Sequence, residues 1–285
     1  MLGHPTALPA GDELYGFPAE WPEALHPGAS ELEALRELCE RVSISFTSEW
    51  NAALGILDPG AAPSSSAFSE TGDLLLFNYA EELAGPGREA FLPAHTYLGS
   101  TPRDDHDPET AAWIAGSPEP YVYVSFGSFL SVRDDVLARV ADALRRTGVR
   151  AAIATGSGDR SRLGDIPESW LVREYLPQVS LLRGAAAAVT HGGNNSVTEA
   201  MTFGVPLLVL PFSTDQFAGA AALERAGLGE ALDPNTATSA ELAYAIVRML
   251  DRDFAGRPVL DAIAAGLERT PGPERAYRAI REAGL

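Results

Sequence analysis

The chain has 285 residues, 46% hydrophobic and 21% charged, which allows one large globular domain or two medium ones. Its formal charge is −18, from 39 acidic and 21 basic residues, and none of the basic residues is Lys. So acidic a chain lacks the positive footprint that nucleic acid or an anionic membrane surface requires.

Cys39 is the only cysteine, so an intramolecular disulfide is excluded. Met1 is followed by LGHPTALPAG, which has neither a basic stretch nor a long apolar core. The longest apolar runs, such as Val205–Phe212, fall well short of the ~20 residues that span a bilayer. The sequence therefore reads as cytoplasmic.

Residues 1–28 are rich in Pro, Gly and aromatics and read as an irregular, ordered loop. Ser30 is placed to cap a helix starting at Glu31, with Leu32, Leu35, Leu38 and Cys39 on one face. Val42–Phe46 alternates like a strand, and a short helix through Trp50–Leu57 follows it. Asp73–Tyr79 and Ala94–Leu98 read as strands. Residues 99–120 are a boundary rich in turn residues and charge, including Asp104, Asp105, His106 and Asp107; this run reads as a solvated linker and not as a metal cluster.

From Tyr121 onward strands and helices alternate. Strands are expected at Tyr121–Phe126, Val149–Thr155, Leu171–Tyr175, Ala186–Thr190, Pro206–Leu210 and Gly229–Leu232. Helices are expected at Asp134–Arg146, Val179–Arg183, Ser196–Phe203, Gln216–Ala226, Glu241–Leu250 (capped by Ser239), Val259–Leu267 and Glu274–Ala283. That order implies an α/β fold with a doubly wound parallel sheet, whose ligands bind at the carboxyl ends of the strands. The run THGGNNSVTEAMTFGVPLLVLPFSTDQ, residues 190–216, lies there. A glycine turn that opens a helix presents unpaired N–H groups and a positive dipole end, which suit a phosphate.

HGGNNSVTEA with GVPLLVLPFSTDQ resembles the donor-binding signature of UDP-glycosyltransferases, including the bacterial natural-product branch of macrolide type. VSFGS at Val124–Ser128 and LPQ at Leu176–Gln178, fourteen residues ahead of His191 counted from Pro177, extend the likeness. The resemblance implies a GT-B-type fold. Its C-terminal, Rossmann-like donor domain would span 121–285, after a linker at 101–120 and a partial N-terminal α/β domain at 1–100.

The resemblance also implies roles. His191, with the turn Gly192-Gly193, would face the pyrophosphate. Asn195 and Ser196 would bond one phosphate and Ser128 the other. Glu199 would accept from the ribose hydroxyls, favouring UDP over dTDP, which offers one hydroxyl fewer. Tyr175, Gln178 and Val179 would hold the uracil, and Asp215 and Gln216 the sugar. Plain structural roles stay open: a turn for Ser128, core for Tyr175, a solvated helix position for Glu199, a cap for Asp215. The implied reaction is inverting, metal-independent transfer of a hexose from a UDP-sugar, with UDP-glucose expected, to a small hydroxylated acceptor; no cofactor is expected.

The family's N-terminal domain carries a His general base with an Asp partner. No counterpart is visible, and His4 and His26 are poor replacements, so the catalytic residue is unknown. The expectation is a fragment, a chain completed by a partner or by self-association, or a base yet to be recognised. A non-catalytic nucleotide-sugar-binding module and an epimerase are the alternatives.

Overall fold

The computed structural model describes residues 2–3, 13–103, 105–127, 133–213 and 215–285. Two parallel sheets organise them. The first has three strands in the order β1-β2-β3, namely Leu2–Gly3, Leu75–Phe77 and His95–Tyr97. The second has six: β4 (Tyr121–Ser125), β5 (Arg150–Ala154), β6 (Leu171–Arg173), β7 (Ala187–Thr190), β8 (Leu207–Val209) and β9 (Gly229–Ala231). Their order is β6-β5-β4-β7-β8-β9, all parallel, with Ser125 level with both Ala154 and Thr190. Numbered within the sheet this is 3-2-1-4-5-6, the doubly wound order. Chain direction across the sheet reverses between β4 and β7, which opens a crevice at their carboxyl ends.

The strands form where apolar runs are bounded by turn residues. Between them, α3 (Asp134–Thr147) buries Val136, Leu137, Val140 and Leu144 on one stripe and ends at Gly148, whose φ of 71° favours glycine. Helices α4 (Gln178–Leu182), α5 (Asn194–Thr202) and α6 (Asp215–Ala226) follow β6, β7 and β8. Then come α7 (Ser239–Leu250), α8 (Arg257–Arg269) and α9 (Gly272–Glu282). The cap of α7 is Thr238 and not Ser239: its hydroxyl accepts from Glu241 N, and the Glu241 carboxylate accepts from Thr238 N at 2.8 Å. This reciprocal box satisfies two otherwise orphaned donors.

The largest departure from the sequence reading is α1, one helix over Ala29–Leu57. The expected strand Val42–Phe46 lies inside it. No Pro or Gly interrupts residues 29–54, and extending a helix is easier than nucleating a second one, so strong formers on both sides carry the alternating segment with them. The helix begins at Gly28, whose N–H donates to the Glu31 carboxylate at 2.9 Å, and not at Ser30. Cys39 is its one buried residue, with Leu32 and Leu35 half-buried on the same side, while Leu38, Val42, Ile44 and Trp50 are exposed.

The linker is fastened to the second sheet. Asp107 caps α2 (Pro108–Ala115) by accepting from Thr110 N at 2.8 Å. Arg150 donates to the carbonyls of Trp113, Ser117 and Glu119 at 2.8, 3.1 and 3.1 Å, with its guanidinium over the Trp113 ring. The helices α8 and α9 return to the first sheet, so Leu75, Phe77 and Tyr97 share one continuous core with Leu260, Ile263 and Leu267. Among the described residues no helix is long and apolar enough to cross a membrane.

Candidate functional site

The crevice at the carboxyl ends of β4 and β7 is built around His191. Its imidazole is seated between two glycines. A Cβ on Gly127 would lie 3.0 Å from His191 Cε1, and one on Gly193 would lie 2.5 Å from Nε2. Gly192 has a φ of 86°, and a Cβ there would press on Val209 at 2.7 Å. Glycine is thus favoured at three places on two turns: at Gly193 to admit the ring, at Gly192 for its backbone, and at Gly127 for both reasons. Burial lowers the His191 pKa below the usual imidazole value; Asp215, at the start of α6, and the backbone of Ser125 oppose that shift.

Directly after this turn α5 begins, with Gly193 as its N-cap and no side chain capping it. The first-turn N–H groups are therefore not taken by a cap side chain. Asn195 is exposed and Ser196 half-buried beside that end. One turn further, Glu199 is only 8% exposed. Burial pushes its carboxyl above the ordinary range; a hydrogen bond from Gln178 and the charge of Arg103 act the other way. Gln178 Nε2 donates to Glu199 Oε2 at 2.6 Å.

The linker enters this neighbourhood, which the sequence reading missed. Asp105 accepts from Val179 N at 3.1 Å and from Ser180 N at 2.9 Å, closing the start of α4. The run containing Asp105 and Asp107 is thus structural rather than merely solvated. In the segment expected to hold the uracil, the N–H of Val179 is already taken by Asp105. Tyr175 is 74% exposed, so it is not core. The side chain of Gln216 folds back: its Oε1 accepts from Phe212 N at 2.8 Å and Ser213 N at 3.1 Å, which leaves its Nε2 for other partners. Ser128 lies outside the described residues, as do His4 and Asp104.

The two sheets meet beside the His191 turn. Asn194 Nδ2 donates to the carbonyl of Asn78, just past the carboxyl end of β2, at 3.1 Å. The Oδ1 atoms of both residues are buried without a hydrogen-bond partner. Trp21 packs on Phe217 of α6, and Arg225 pairs with Glu20 at 2.8 Å. His26 is exposed and contacts its neighbour Pro27, and His95 opens β3 at its amino end. Neither lies at the crevice.

Chemically, the crevice offers helix N–H groups and an imidazole to an anion, and a buried carboxylate to a pair of hydroxyls. The family model described as UDP-glucoronosyl and UDP-glucosyl transferase matches residues 76–260. The chain is 29% identical over 167 residues to the uncharacterized UDP-glucosyltransferase YojK of Bacillus subtilis, covering 58% of this chain and 41% of that protein. It is 30% identical over 164 residues to the NDP-glycosyltransferase YjiC of Bacillus licheniformis, covering 56% and 41%. It thus spans about two fifths of the length of these curated relatives. The solved glycotransferase of kitacinnamycin superposes with a TM-score of 0.70 at 21% identity, over 93% of this chain and 68% of that one. This likeness establishes the fold as GT-B-type.

Proposed function

The chain belongs to the UDP-glucoronosyl and UDP-glucosyl transferase family, and on that premise we propose that it binds a UDP-sugar in the crevice between β4 and β7 and serves transfer of the hexose to a small hydroxylated acceptor. The observation that carries this reading is the His191 turn. The imidazole is held by Gly127 and Gly193 beside an α5 start with no capping side chain, one helical turn from the buried Glu199 carboxylate.

In this reading the N–H groups at the start of α5, with His191, Asn195 and Ser196, hold the phosphates. Glu199 accepts from the ribose, and Gln178 lies beside it. The exposed Tyr175 ring supplies a face for uracil. Asp215 and the free Nε2 of Gln216 bond the sugar. UDP-glucose is the donor we favour, because an acid and an amide match a polyhydroxylated hexose. No cofactor takes part. The division at 1–100, 101–120 and 121–285, and a cytoplasmic setting, belong to the same reading.

Transfer is inverting. The acceptor oxygen loses its proton to a base and bonds to the anomeric carbon; the bond from that carbon to the phosphate oxygen breaks, and UDP leaves. Charge developing on the leaving oxygen falls toward the helix end, where fixed N–H dipoles stabilise it without reorganising. None of the donor-side residues is assigned as that base. The partnerless Asn78 and Asn194 oxygens, where the two sheets meet, support an acceptor or sugar hydroxyl approaching between them. The exposed apolar residues of α1 support a partner chain or a second copy covering that face.

The test is UDP release from UDP-glucose by the 285-residue chain with a panel of phenolic and macrolide acceptors. Acceptor-dependent UDP release is expected. Saturable UDP binding with no release across the panel would instead make the chain a binding module.

A further inference from the structure

Tyr123 has no part in the roles given above, yet its hydroxyl needs an account. It sits in the middle of β4, a central strand, and is 4% exposed. A Phe would serve the packing of that strand as well, and a buried phenol is costly unless its O–H finds a partner. Its partners are Gln178 Oε1, at 3.4 Å, and the side chain of Ser125 on the same strand. The same amide oxygen receives the Ser196 hydroxyl, also at 3.4 Å. The other end of the amide donates to Glu199 Oε2 at 2.6 Å. Tyr123, Gln178 and Ser196 line one small cavity below the crevice, together with Ser125 and Thr190.

The polarity of this chain of bonds is fixed by chemistry. A hydroxyl can donate to the amide oxygen, and an ionised carboxylate can only accept. The carboxylate therefore turns the amide so that its NH2 faces Glu199, and the two hydroxyls hold the amide oxygen in place on the other side. With the amide reversed, its oxygen would face the carboxylate and repel it.

We infer that Tyr123 is a positioning residue for ribose recognition: through the Gln178 amide it orients the Glu199 carboxylate toward the two hydroxyls of the sugar. This rests on the UDP-sugar reading of the site. Burial also keeps the phenol protonated well above neutral pH, so the donor persists throughout the working range. The residue touches no substrate. In this role it acts through Gln178 and Glu199, so the effect of removing its hydroxyl on UDP affinity must vanish once Glu199 is absent.

The experiment is a double-mutant cycle read by calorimetric titration with UDP and with 2′-deoxy-UDP. Tyr123→Phe is expected to weaken UDP about five- to tenfold, the effect of one buried hydrogen bond. Its effect on 2′-deoxy-UDP is expected to stay under about twofold, so preference for the ribonucleotide drops. In a Glu199→Ala background the same change is expected to alter UDP affinity by less than about twofold. Equal losses in both backgrounds, or an unchanged ribo/deoxy ratio in Tyr123→Phe, overturn the inference. If Tyr123→Phe does not fold, Tyr123→Met carries the same cycle with the same expected pattern. Failure of the wild-type chain to bind UDP would instead strike the reading of the site itself.

Discussion

Replacing Gly193 by Ala isolates the contribution of His191 without touching its chemistry. Gly193 has φ −60° and ψ 143°, which any residue adopts, so backbone strain is not introduced. The new methyl would stand 2.5 Å from His191 Nε2 and 2.9 Å from Cε1. Ordinary contacts relax at about 3.5 Å, so the ring must move by about 1 Å. Overpacking of this kind costs about 1–3 kcal/mol, or about 2–4 °C in Tm for each kcal/mol. A displaced imidazole loses a charge-assisted bond to the pyrophosphate worth about 1.5–3 kcal/mol, a weakening of about 10- to 150-fold. Titration calorimetry with UDP measures it. Gly219→Ala is the control: it lies within α6, its Cβ would meet Gly192 O at an ordinary 3.6 Å, and it should stabilise the fold by about 0.4–1 kcal/mol with affinity intact. A folded Gly193→Ala chain that binds UDP within about twofold of wild type would refute the placement of the pyrophosphate at His191.

Affinity for UDP-glucose should fall as pH rises. Burial lowers the His191 pKa in the free chain, and a nearby diphosphate raises it in the complex, so binding takes up a proton across the window between the two values. Calorimetry in buffers of different ionisation enthalpy detects that uptake, and His191→Asn should abolish it. For folding the sign is opposite: the lowered pKa gives stability that is present above the ordinary imidazole value and lost as pH falls through the folded value. Glu199→Ala should weaken UDP by about tenfold and dTDP by less than about threefold, since only UDP loses a second hydroxyl contact; equal losses count against the ribose role. Arg150→Ala should lower stability by about 3 kcal/mol, because three linker carbonyls lose a charged donor and Trp113 loses its cation; thermal unfolding measures this.

Much of the second sheet was legible because its strands are continuous apolar runs between turn residues, a pattern that survives without knowledge of neighbours. The His191 turn was legible for the same reason, since glycines, amide and carboxylate follow one another along the chain. Val42–Phe46 misled because five alternating residues carry less weight than the helix formers around them. Asp105 was invisible as a cap because it closes α4 from more than seventy residues away. Tyr123 was hidden too: its link to Glu199 runs through Gln178, which is 55 residues from Tyr123 and 21 from Glu199. Such a relay becomes apparent only once β4, α4 and α5 are assembled around one cavity.

Thermal unfolding of the 285-residue chain titrated with UDP tests donor binding most directly. A ligand that binds only the folded state stabilises it by RT ln(1 + [L]/Kd), about 2.7 kcal/mol at one hundred times Kd. The account predicts a Tm that climbs steadily with the logarithm of UDP concentration, climbs less with dTDP, and in Glu199→Ala needs about tenfold more UDP for the same rise. A Tm that stays unchanged up to millimolar UDP would contradict it.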